Sequence, residues 1–100
     1  MAHRGKQGQE VHDRKVGETA RRLAREGYQV RADLPGHERP PAIGGRIPDV
    51  VAWKGGRVLV REIETPGTIA QDRPQQEALR QAARDAGADF RVLLARRKPR

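Results

Sequence analysis

The sequence predicts an α/β domain, a mixed sheet flanked by two helices. Two stretches carry apolar residues at helical spacing and are each closed by a glycine, at Gly27 and Gly87. Four short segments read as strands, two of them joined by the Gly55-Gly56 pair that marks a tight hairpin. The resulting order is helix, three strands, helix, strand, in which the second helix can serve as the crossover that makes the last two strands parallel.

Each element has its own signal. Val16, Ala20, Leu23, Ala24 and Gly27 place an amphipathic helix over about 10–26. The first eight residues are polar and are expected to fray. Tyr28 to Leu34 alternates apolar and polar residues, as a half-buried strand does. The segment from Pro35 to Ile47, with three prolines and three glycines, reads as a loop. Strands are expected at 49–54 and 57–65, with Pro66-Gly67 ending the second. Ala78, Leu79, Ala82, Ala83 and Ala86 define one face of a helix over about 72–86, and residues 90–95 form the last strand. The expected domain therefore covers 9–95, followed by a basic tail over 96–100.

Composition narrows the function classes. The 100 residues suffice for one small domain. They hold 21 Lys and Arg against 13 Asp and Glu, a formal charge of +8. Such an excess favours a polyanionic partner, most often nucleic acid, although a GC-rich coding bias also enriches arginine and alanine. The absence of cysteine excludes disulfides and thiolate metal sites. No stretch reaches the ~18 apolar residues of a membrane span and no apolar signal core follows Met1, so a cytoplasmic location without membrane contact is expected. Three aromatic residues are few for a module that stacks on bases.

Three acids stand out against this basic background. Strand alternation puts Glu62 and Glu64 on one face with Val58 and Val60, roughly 7 Å apart along the strand. A hairpin pairing Lys54 with Arg57 brings Asp49 level with Glu62 on the neighbouring strand. Like charges in that position destabilise a sheet. A divalent cation such as Mg²⁺ or Mn²⁺, which takes oxygen ligands, would reverse the penalty and could activate a water against a phosphodiester. A solvent-facing acidic patch balanced by arginines is the other reading.

Pro48-Asp49, twelve intervening residues, then Glu62-Ile63-Glu64 resembles the PD-(D/E)xK nuclease superfamily, which includes type II restriction enzymes and archaeal Holliday-junction resolvases. The αβββαβ order over residues 9–95 resembles that superfamily's restriction-endonuclease-like core. The resemblance implies that Asp49 and Glu62 are metal ligands. Glu64 stands where most members carry a catalytic lysine; a few restriction enzymes have Glu there and are active. Lys54 and Arg61 fall on the opposite face and do not replace it, while Lys15 and Arg46 are candidates to approach from the first helix and the loop. Members often use an acid on the first helix, but Glu18 lies nearly opposite the apolar face. His12, one turn before Val16, is the possible accessory residue there. Members also place a glutamine on the second helix; Gln75, on the apolar face, is the expected one, with Gln76 to its side.

The expectation is thus a Mg²⁺- or Mn²⁺-dependent endonuclease with Asp49, Glu62, Glu64 and Gln75 in its catalytic set. Its substrate would be nucleic acid, DNA rather than RNA, with Arg39, Arg46 and Arg73 holding the backbone. A homodimer would let the protein cut both strands. The alternative is a non-catalytic nucleic-acid-binding module on the same scaffold, without the lysine.

Overall fold

A computed structural model describes residues 5–96 of the chain. The elements are α1 (Lys6–Arg25), β1 (Gln29–Ala32), β2 (Val50–Lys54), β3 (Arg57–Glu64), α2 (Arg73–Asp85) and β4 (Asp89–Leu94). The sheet order is β1-β2-β3-β4, antiparallel at the first two pairings and parallel at the third. The domain is therefore a small α/β fold of two helices on a mixed four-stranded sheet. Helix α1 starts at Lys6, ahead of the expected Glu10, so residues 6–8 of the stretch expected to fray are helical. Residues 1–4 lie outside the described residues, as does the basic tail after Arg96.

Both helices end by the same local device. After α1, Gly27 takes a φ of 94°, the Tyr28 N–H donates to Leu23 O and the Gly27 N–H to Ala24 O. After α2, Gly87 takes a φ of 76°, with Ala88 N–H donating to Ala83 O and Gly87 N–H to Arg84 O. This left-handed closure satisfies helix carbonyls that would otherwise face no donor. The β2–β3 hairpin turns on Gly55-Gly56, with positive φ at Gly55 and Lys54 paired to Arg57. That register fixes every cross-strand neighbour further along, including the acids.

Alternation divides the core between the two faces of the sheet. Val50, Ala52, Leu59 and Ile63 pack with Val16, Ala20 and Leu23 of α1. Val51, Val60, Trp53 and Val58 pack with Ala83 of α2 and with Phe90. Burying each Val, Leu or Ile contributes about 1.5–3 kcal/mol, and the two clusters clamp β2 and β3 from both sides. The loop before β2 is not featureless. Ile43 and Arg46 form a β-bridge around Gly44-Gly45, both at positive φ, and a Cβ on Gly44 would lie 2.6 Å from that of Ala82 on α2. No helix among the described residues is long and apolar enough to cross a membrane.

A carboxylate site at the end of the sheet

Two acids meet where the β2–β3 ladder ends. The last paired residues are Val50 and Arg61, and one step beyond them Asp49 faces Glu62. There the side chains take over from the ladder: the Asp49 N–H donates to Glu62 Oε1 at 2.8 Å, and the Ile63 N–H donates to Asp49 Oδ2 at 2.8 Å. The backbone thus holds each carboxyl by one oxygen, and the two side chains also hydrogen-bond to each other, which favours the protonated form of Glu62.

The electrostatics follow from that placement. Glu62 is pushed from 4.5 up to about 8, first by loss of solvent, then by the charge of Asp49, with Glu64 adding to it; the Asp49 N–H acts in the opposite direction. Burial and the neighbouring carboxylate thus favour the protonated form of Glu62, and a bound cation would oppose that shift. His12, 6% exposed, reaches this end of the sheet from α1. Its Nε2 is 3.3 Å from Asp49 Oδ2 and its Nδ1 3.0 Å from Asp13 Oδ1. The imidazole and the Ile63 N–H thus meet the same oxygen of Asp49.

Glu64 is placed differently from its two neighbours. It is 2% exposed; Thr68 Oγ1 donates to its Oε1 at 3.0 Å and Gln76 Nε2 to its Oε2 at 2.9 Å. Burial pushes its carboxyl upward, aided by a hydrogen bond with the buried Asp72, while the Gln76 and Thr68 donors act downward. Gln76 also donates to Ile69 O at 3.0 Å, so one amide ties β3 to the turn before α2.

The expected glutamine was Gln75; the residue that touches Glu64 is Gln76. The reason lies in the alanines used to phase α2. Ala78 and Ala86 are exposed and do not belong to the buried face, which is centred on Leu79 and Ala83. Removing them rotates that face toward Gln76. Asp72 and Thr68 were missed altogether. The Asp72 side chain makes no hydrogen bond to the helix it precedes, so its apparent capping position concealed its contact with Glu64.

The basic candidates are dispersed. Lys54 Nζ donates to Glu26 O at 2.7 Å, closing the carboxyl end of α1, and Arg61 is buried against Asp89, with Nη1 donating to the Asp89 carbonyl at 2.9 Å and Nη2 to its carboxylate at 3.2 Å. Both are committed away from the acids. Arg39 is exposed and 3.9 Å from Asp33, and Arg46 and Arg73 are exposed. Glu18 lies on the flank of α1 beside Lys15 and Arg22. A cavity of about 530 Å³ lies between the start of α1 and the 65–68 turn, but its lining holds none of the three acids.

Among the described residues, no group of three or more His, Asp or Glu side chains is arranged to hold a metal by itself. The oxygen donors that lie together are the two carboxyl groups of Asp49 and Glu62. That suits a hard cation which keeps several waters, as Mg²⁺ does. No family model matches the chain, and no curated protein matches it.

Proposed function

We propose that the chain is a metal-dependent endonuclease that hydrolyses phosphodiester bonds of nucleic acid, with the PD-(D/E)xK-like fold its motif and element order suggest. The observation that carries this reading is the Asp49–Glu62 pair: two carboxyls drawn out of solvent and pinned by each other's strand, with Glu62 raised to about 8 by burial and by the charge of Asp49. Asp49 and Glu62 would hold Mg²⁺ or Mn²⁺, which when bound would polarise the phosphate and lower the pKa of a water. His12 and the Ile63 N–H fix Asp49, and the Asp49 N–H fixes Glu62. Glu64, with Thr68 and Gln76 on its two oxygens, acts by positioning: it anchors the start of α2 against the end of β3.

The test is incubation with supercoiled and branched DNA in Mg²⁺ or Mn²⁺, comparing the wild type with Asp49→Ala. Metal-dependent cutting lost in the variant is the expected result. Equal cutting by both proteins, or none by either, overturns the proposal.

One observation favours the second reading, a binding module without catalysis. The place of the lysine is taken by a buried, doubly hydrogen-bonded glutamate, while Lys54 and Arg61 are engaged elsewhere. Salt-dependent binding of the backbone without cutting in either metal would select it.

A further inference from the structure

The loop expected to grip the nucleic-acid backbone is poorly suited to the task. Between Asp33 and Ile47 two acids, Asp33 and Glu38, offset two arginines, Arg39 and Arg46. Arg39 lies 3.9 Å from Asp33, and Glu38 is 3.0 Å from Arg31. Helix α2 is similarly mixed, with Arg80 3.6 Å from Glu77. The charge excess must lie elsewhere.

It lies along one flank of α1. Lys15, Glu18, Arg22 and Arg25, spaced three, four and three residues apart, form one stripe on the helix and line a shallow groove of about 290 Å³ with Thr19. The groove beside it, about 160 Å³, adds Arg14 and, from the end of β4, Arg96. Five cations thus face one acid. Among the described residues only Arg22 of the five makes an ion pair, at 3.8 Å to Glu26 with both side chains about half exposed. An ion pair that exposed holds its partner weakly.

We infer that this flank of α1, with Arg96, is the surface that binds the sugar-phosphate backbone. Four of its five cations are arginines, whose planar fork suits phosphate oxygens. From Arg14 to Arg25 the helix rises about 16 Å, the length of about five base-pair steps at 3.4 Å each. Lys15 follows His12 by three residues on the same helix, and His12 touches Asp49. A backbone lying along the flank is therefore led to the carboxylate end of the sheet. Arg97, Lys98 and Arg100 continue the basic sequence past Arg96. The inference rests on the nucleic-acid half of the proposed function and not on its catalytic half.

The test is fluorescence anisotropy of a labelled 20-base-pair DNA duplex, in EDTA so that no metal-dependent cutting occurs, over a range of KCl concentrations. The Lys15→Ala/Arg22→Ala/Arg25→Ala variant is expected to bind at least about tenfold more weakly at 100 mM salt, and the log–log salt slope to flatten by about 2–3 for the three lost phosphate contacts. Arg39→Ala/Arg46→Ala is expected to bind within twofold of wild type. Circular dichroism melting verifies folding; if the triple variant fails to fold, Arg22→Gln/Arg25→Gln replaces it, with an expected flattening of about 2. Asp49→Asn, which ends cutting under the proposed function, is expected to bind at least as well as wild type, so loss of cutting and loss of binding are read separately. An unchanged slope in the flank variant, a larger loss in the loop variant, or no binding by wild type overturns the inference. So does displacement of the duplex by poly-glutamate at equal charge, which would indicate an acidic protein partner.

Discussion

At the scale of single residues, Glu62 has the most to lose from the company it keeps. Its carboxyl is raised to about 8 by burial and by Asp49, against 4.5 for the ordinary group. A carboxyl raised in the folded state contributes its full stability below the unfolded value, near 4.5, and loses it as the pH climbs through 8. In EDTA the melting temperature is therefore expected to fall between pH 5.5 and pH 8.5, by about 5 °C or more for a domain this small. Glu62→Gln keeps an oxygen to accept the Asp49 N–H but carries no charge. It is expected to flatten that fall, and to melt higher than wild type at pH 8.5. A parallel fall in both proteins would assign the pH effect to other groups. Gln76 gives a second expectation. Removing its amide leaves Glu64 Oε2 buried without that donor, so Gln76→Ala should cost about 1–3 kcal/mol in urea unfolding, whereas Gln75→Ala should stay within about 0.5 kcal/mol. Equal losses would mean that Gln76 has no special place in the Glu64 cluster. The sequence made Glu62 and Asp49 legible because strand period and hairpin register are local rules. It did not make Gln76 legible, because alanine is tolerated on either side of a helix and its presence says little about which side is buried.

At the scale of elements, the ends were readable where a glycine had to adopt positive φ and obscure where nothing marked them. Gly27 and Gly87 close their helices at the expected places, and Gly55 sets the hairpin register that aligns Asp49 with Glu62. The start of α1 has no such mark. Its N-cap is Gly5, which has no side chain to cap with, and Gly8 inside the first turns lowers helix propensity, so the sequence signal began only at Glu10. The 35–47 loop hid its turn for another reason. Gly44 is required both by its φ of 60° and by Ala82, thirty-eight positions away, which no local pattern reveals. These two demands can be separated. Gly45→Ala, at φ 81° in open space, should cost about 1–2 kcal/mol from the backbone alone. Gly44→Ala should cost more, because a Cβ 2.6 Å from that of Ala82 forces the loop off α2, and Ala82→Gly in the same chain should recover the excess but not the backbone part. Equal costs at the two glycines, measured by urea unfolding, would mean that the loop does not rest on the helix.

At the scale of the whole molecule, a chain of net charge +8 gathers four carboxyls, Asp49, Glu62, Glu64 and Asp72, along one end of its sheet. Under the proposed binding mode, a phosphate backbone held by the cations of α1 would meet that carboxylate end last. The approach is easiest when the acids are neutralised, by a proton on Glu62 or by a divalent cation. Binding of metal and of nucleic acid should then be coupled, and the coupling should depend on pH, since below about 8 the proton already does part of the cation's work. The measurement is duplex affinity with and without Mn²⁺, on a backbone that cannot be hydrolysed, at pH 6.0 and pH 8.5. One unit charge near a bound phosphate, partly screened, is worth about 1 kcal/mol. The gain in affinity from Mn²⁺ is accordingly expected to be about fivefold greater at pH 8.5 than at pH 6.0, and to vanish in Asp49→Asn/Glu62→Gln. A gain equal at both pH values, or one that survives in that double variant, would place the cation somewhere other than between these two strands.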